Sequence, residues 1–128
     1  MTHKDLIRLI LLWGALAGSA QALPLTASER AQTFATCAGR FAAEETYWGR
    51  TAPGDRDSVT FDALVEAVLP EAIAVGMPRA VASNAKFHAW RTHAYLHNNS
   101  RFSPDAGRKA RAQNRLAREI ADCTALIR

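Results

Sequence analysis

"TASERAQTFATCAGRFAAEETYW", Thr26 to Trp48, decides the fold. Thr26 followed three residues later by Glu29 is a capping box, the reciprocal arrangement that satisfies free N–H groups at a helix start. Behind it Phe34, Cys37, Ala38, Phe41 and Trp48 recur at helical steps, so one stripe of a long helix is apolar and Cys37 lies on it. The chain's other cysteine is Cys123. A helix that buries one half of a cysteine pair ties the fold of the N-terminal part to whatever carries the other half.

Ahead of this stretch, "MTHKDLIR" is a short basic segment, "LILLWGALAG" (Leu9–Gly18) an apolar one, and "AQA" (Ala20–Ala22) a small-x-small site. This is the pattern of a cleaved secretory leader. The apolar run falls short of the roughly 20 residues that span a bilayer. Residues 1–22 are therefore expected to leave as a signal peptide, with residues 23–128 forming a single helical domain and no stable membrane span. The expected location is periplasmic or secreted. In an oxidising compartment an even cysteine count reads as a disulfide, Cys37–Cys123. No CxxC and no CxxCH motif is present, which excludes a thioredoxin-like redox pair and covalent haem attachment.

Beyond "RTAPGDRD", a Pro/Gly-bearing loop, the helical period continues. Phe61, Leu64, Val65, Val68, Leu69 and Ile73 make the stripe of a second helix. Pro70 is expected to kink or split it, because proline lacks the donor and crowds the preceding turn. Gly76 suits the end of that helix, and Pro78 the first turn of a third. The third is expected to close at "NNS", with Asn98 or Asn99 in the left-handed conformation. The fourth is expected to be capped by Ser103, with Pro104 at its first position and Asp105 complementing the helix dipole. Its inner stripe would be Ala106, Ala110, Leu116, Ala117, Ile120, Cys123 and Ile127. No segment alternates with period two. The reading is all-α: a four-helix up-down-up-down bundle whose first and last helices are antiparallel neighbours joined by the disulfide.

"CAGRFAAEETYW", "FDALVEAVLP", "NAKFHAW" and "CTALI" resemble a group of small exported two-cysteine proteins of alphaproteobacteria with no assigned function. The likeness covers nearly the whole chain after the leader. It implies a bacterial periplasm, matches the group's cysteines to Cys37 and Cys123, and carries no mechanism.

The 16 Lys/Arg and 12 Asp/Glu become 14 and 11 once Lys4, Arg8 and Asp5 leave with the leader. Arg108, Lys109, Arg111, Arg115 and Arg118 crowd the fourth helix, while acids concentrate in the first two. That reads as a solvated basic face turned toward acids on a neighbour. Nucleic acid is not expected as a partner, since no aromatic-basic reading motif accompanies the charge.

Chemistry-bearing residues gather in "KFHAWRTHAYLHNN", Lys86–Asn99. At about 100° per residue, Val81, Ala85, Ala89, Thr92 and Leu96 form one small-residue face. Phe87 and Trp90 lie roughly opposite, a candidate surface for a protein partner together with Tyr47 and Trp48. His93 and His97 are four apart and share a strip. They are a candidate metal pair if Glu44, Glu45 or Glu66 supplies a further ligand, and otherwise boundary residues on an exposed strip. His88 points elsewhere, and Lys86 on the same strip disfavours a cation. HExxH, GxSxG and a Gly-rich phosphate loop are absent, so neither an enzyme nor a resident cofactor is expected. The expected function is a non-enzymatic protein-binding or structural module, with a metal-binding or sensing protein using His93 and His97 as the alternative.

Overall fold

The computed structural model describes residues 26–49 and 57–128. The expected signal peptide, residues 1–22, and most of the loop after Gly49 lie outside the described residues. Four helices follow in order: α1 (Ala27–Trp48), α2 (Asp57–Ala74), α3 (Ala80–Phe102) and α4 (Ala106–Thr124). Among the described residues there is no strand, and no helix is long and apolar enough to cross a membrane.

Local chemistry sets the ends of these helices. At the start of α1 the Glu29 N–H donates to Thr26 Oγ1 (3.1 Å) and the Thr26 N–H to Glu29 Oε2 (3.3 Å), closing the capping box. α2 runs through Pro70 without splitting. The Glu66 carbonyl that loses its donor there belongs to an exposed residue. Gly76, with φ 104°, ends α2 by having Met77 N–H donate to Ala72 O and Gly76 N–H to Ile73 O. That is a left-handed cap, and only glycine takes its conformation without strain.

Two expected boundaries move. α3 does not stop at Asn98–Asn99; it continues to Phe102, and no described non-glycine residue has positive φ. Asn98 is instead engaged from α1, its Oδ1 2.8 Å from the Tyr47 hydroxyl. Ser103 ends α3, and Asp105 caps α4 by accepting from the Arg108 N–H at 2.9 Å. This hydrogen bond holds the Asp105 carboxyl below its ordinary range.

The four helices pack as a bundle with α1 at its centre. α1 lies along both α2 and α3; α4 rests mainly on α3 and meets α1 at the disulfide. One core cluster joins Ala27, Ala31 and Ala35 of α1 to Leu69 and Ala72 of α2 and to Met77 and Ala82. A second gathers Phe34, Phe41 and Phe61 around the cysteines, with the Phe41 and Phe61 rings stacked at 5.8 Å. A smaller third joins Leu96 of α3 to Ala112 and Leu116 of α4. The Arg128 guanidinium reaches back to the buried Asp57 carboxylate at 3.0 and 3.2 Å, fastening the chain's last residue to the start of α2. On α4 the inner face is Ala112, Leu116, Glu119 and Cys123; Ala106, Ala110 and Ala117 are exposed.

The disulfide joins Cys37 of α1 to Cys123 of α4, with Cα atoms 5.5 Å apart, across 86 residues of chain. A loop of that length is worth about 4–5 kcal/mol in the chain-entropy treatment, and measured losses run from about 2 to 5 kcal/mol. A Cys37→Ala/Cys123→Ala double variant is therefore expected to lose at least about 2 kcal/mol in urea unfolding; an unchanged midpoint and slope would contradict the assignment of stability to this bond.

The seam between α1 and α3 is built from small residues because the backbones nearly touch. A Cβ on Gly39 would lie 2.1 Å from the Lys86 carbonyl oxygen and 3.0 Å from the Trp90 nitrogen. Neither is a flexible side-chain end, so one helix would have to move. In an open helix Gly→Ala gains roughly 0.5–1 kcal/mol. Gly39→Ala is instead expected to destabilise by about 1–3 kcal/mol, the usual cost of overpacking. Chemical denaturation checks the sign, and a gain in stability would refute the close approach.

Candidate functional site

The contact at Gly39 positions the chemistry. One and a half turns further along α1, Glu44 reaches across the seam to α3. Its Oε1 lies 2.7 Å from His93 Nε2 and 3.0 Å from His97 Nε2. His93 is fully buried and His97 nearly so. On the far side of the His93 ring, Nδ1 lies 2.8 Å from Glu119 Oε2 of α4. Glu119 is held in turn by Arg115 Nε, 3.1 Å from Oε1, and by Arg40 Nε, 3.8 Å from Oε2. Arg40 also points an N–H at Cys123 Sγ, 3.6 Å away, so the disulfide and the carboxylate share a neighbour.

His97 has a different setting. Tyr47 stacks on its ring at 4.5 Å, and Trp48 meets it edge-on at 6.3 Å. The His93 and His97 rings are 5.2 Å apart and nearly perpendicular. Tyr47 is fixed by its hydroxyl, 3.1 Å from the Ala94 carbonyl and 2.8 Å from Asn98 Oδ1.

The protonation pattern follows from these contacts. Burial alone would push Glu44 up, but the hydrogen bond from His93, reinforced by the charges of His97 and His93, brings its carboxyl below the ordinary value. Glu119 behaves alike: burial raises it, while the His93 hydrogen bond and the Arg40 and Arg115 guanidiniums carry it below the usual range. Burial pushes the His97 imidazole below its ordinary value, against the opposing pull of Glu44.

The nearest ligand atoms of Glu44, His93 and His97 all lie within 4.8 Å of one another. Glu44 and His97 also line a cavity of about 560 Å³, whose wall includes Trp48, Arg101, Leu116, Ala117 and Ile120.

The histidine pair is thus brought together with the first of the three candidate carboxylates. Glu45 accepts instead from the Ser58 hydroxyl of α2, and Glu66 is exposed. The alternative of boundary histidines on an exposed strip is overturned: both rings are buried, His93 between Glu44 and Glu119 of α4, and His97 against Glu44, Tyr47 and Trp48. Lys86 does not oppose a cation at the site, since its ammonium is paired with Asp62 at 2.7 Å. His88 is exposed and away from the group. Phe87 is 60% exposed, but Trp90 is half-buried: its ring stacks on Phe87 and its Nε1–H points at Thr46 Oγ1 of α1, 3.4 Å away. The buried α3 positions are Ala82, Ala89, His93, Leu96 and His97; of the expected face, Ala89 and Leu96 are buried, Val81 and Ala85 pack half-buried against the core, and Thr92 is half-buried.

Glu119 escaped the sequence reading. Its signal was its register, three residues after Leu116 and four before Cys123, on the face of α4 that must turn inward. Comparison with protein-family models, with curated proteins and with solved structures finds no match.

Removing Glu119 would leave the buried His93 Nδ1–H without its acceptor, at a typical cost of about 3–5 kcal/mol for breaking a buried pair. Removing Arg115, whose side chain is 55% exposed, forfeits only a surface ion pair of about 0–1 kcal/mol. Urea unfolding of Glu119→Ala and Arg115→Ala is expected to show that contrast, and equal losses would contradict it.

Proposed function

We propose that the protein binds a divalent transition-metal ion through Glu44, His93 and His97. The observation that carries this reading is the state of His93. Its Nδ1 faces Glu119 while its Nε2 faces the same point as His97 Nε2 and Glu44 Oε1. A metal-ligating histidine characteristically gives its other ring N–H to a carboxylate, which fixes the tautomer and strengthens the ligand. Glu119, steadied by Arg115 and Arg40, would do that here.

The donor set suits the ion. Two imidazoles and one carboxylate are ligands for zinc and for iron, copper or nickel, and a three-residue set leaves positions open. Bonds of about 2.0–2.1 Å at tetrahedral angles put ligand atoms about 3.3 Å apart. The Glu44 oxygen, 2.7 and 3.0 Å from the two Nε2 atoms, would recede by about 0.3–0.6 Å, and the two imidazole nitrogens, within 4.8 Å of each other, would take up the same spacing. Metal binding requires Nε2 of both imidazoles without a proton, so uptake would fall as pH is lowered.

The compartment belongs to the same proposal: outside the cytoplasm. The disulfide, the leader-like N-terminal sequence and the resemblance to small exported proteins support it. Docking of a protein partner at Phe87 and Trp90 is a second reading, favoured by the exposure of the Phe87 ring and the Arg91 guanidinium 5.9 Å over it.

Isothermal titration of metal-free protein with zinc tests the first reading. One ion per chain is expected, at a Kd of about 1 μM or tighter. Zinc at 100 times Kd should add about 2.7 kcal/mol of stability. His97→Ala and Glu44→Gln should each weaken binding by at least about tenfold, whereas His88→Ala should not change it. Failure to take up a stoichiometric ion, or undiminished uptake in both site variants, would remove the proposal.

A further inference from the structure

The ligand residues stand beside the cavity in a way that selects what can share the metal. Glu44 and His97 line it; the third, His93, is fully buried and does not. A cation held by the three would have its open coordination positions on the cavity side. The volume, about 560 Å³, is that of a small-molecule site.

The walls have two kinds of chemistry. Leu116, Ala117 and Ile120 of α4, with the Trp48 ring, offer an apolar surface. Glu44 is the carboxylate on the wall and Arg101 the fixed cation. Arg101 is held by its surroundings: its guanidinium lies 4.9 Å over the Trp48 ring and 5.3 Å over the Tyr47 ring, and one N–H donates to the Tyr47 carbonyl at 3.3 Å. That leaves N–H groups of its five free to donate elsewhere. With a dication on Glu44 the carboxylate charge is more than cancelled, and Arg101 adds a second positive charge. The cavity then favours an anion, and planar guanidinium geometry favours a carboxylate.

We infer that this cavity binds a small organic monocarboxylate with an apolar body, its carboxylate shared between the metal and Arg101 and its body laid on Leu116, Ala117 and Ile120. The inference rests on the metal-centre reading. It names the third party of that site and does not call for a reaction.

Octanoate is a suitable probe and 1-octanol its neutral counterpart. Titrated into zinc-loaded protein, octanoate is expected to bind once per chain and 1-octanol at least about tenfold more weakly. Arg101→Gln should weaken octanoate by about tenfold or more while leaving zinc uptake intact. Ala117→Phe, a change at an exposed α4 position that fills the cavity without entering the core, should abolish octanoate binding with zinc retained. Zinc measured in the same samples separates the two ideas. Protein that holds zinc and ignores octanoate, binds octanol equally well, or is indifferent to both variants overturns the carboxylate site alone. Protein that holds no zinc overturns the metal centre and this inference with it.

Discussion

A buried imidazole between two carboxylates ties three of the four helices together. His93 belongs to α3, Glu44 to α1 and Glu119 to α4, and each ring nitrogen lies within 2.8 Å of a carboxylate oxygen. Taking such groups out of water is expensive, and their mutual attraction offsets the cost only when geometry and remaining hydrogen bonds are good. Here they are good: no buried side-chain nitrogen or oxygen among the described residues lacks a partner. Such a network contributes more to fixing one arrangement of helices than to raising stability. It is satisfied in a single register of α1, α3 and α4, because sliding any of them by one residue would strand a charge in the interior.

That register is set from two sides. Along α1 and α3 it is set by the contact at Gly39, where the missing side chain lets the backbones meet. Alanines flank this point on both helices, so the seam is close but buries little apolar area per residue. Along α4 it is set by the disulfide. Glu119 and Cys123 are one turn apart on the same face, and Arg40 touches both the Cys123 sulfur and the Glu119 carboxylate. The covalent bond therefore does two things. It restricts the unfolded chain, and it holds the turn of α4 that presents Glu119 to His93.

Much of this architecture was legible in the chain, and the reasons differ by element. The helix at Thr26 announces itself because a capping box is a local contract between residues three apart. The cap at Gly76 is equally local. The disulfide follows from the cysteine count together with a leader-like N-terminal sequence, and the bundle from helical period and short connections. What failed was what depends on distant residues. Asn98 and Asn99 look like a helix end until Tyr47, half the chain away, engages Asn98 within the helix. Ser103 and Asp105 are both good caps, and the choice of Asp105 turns on where α4 must start to bring Leu116 and Cys123 inward. The packing face of α3 is wider than expected, adding Ala82, His93 and His97 to Ala89 and Leu96. Hydropathy places valine and alanine inside and histidine at the boundary, and nothing local reveals carboxylates 49 and 26 residues away that make histidine the better interior residue.

The small residues between α1 and α3 also explain how the site can exist in so small a fold. A core of large aliphatic residues along α1 and α3 would hold the helices farther apart, beyond the reach of a glutamate spanning the seam. Alanine and glycine bring the helices close enough, but they give up apolar burial at about 25 cal/mol per Å². A chain of this size has little burial to spare. The disulfide, worth a few kcal/mol, works against that loss. The small-residue seam, the covalent bond and the buried polar cluster are thus parts of one solution. Close helices make the site possible, and the disulfide sustains a bundle that close helices alone would leave under-packed.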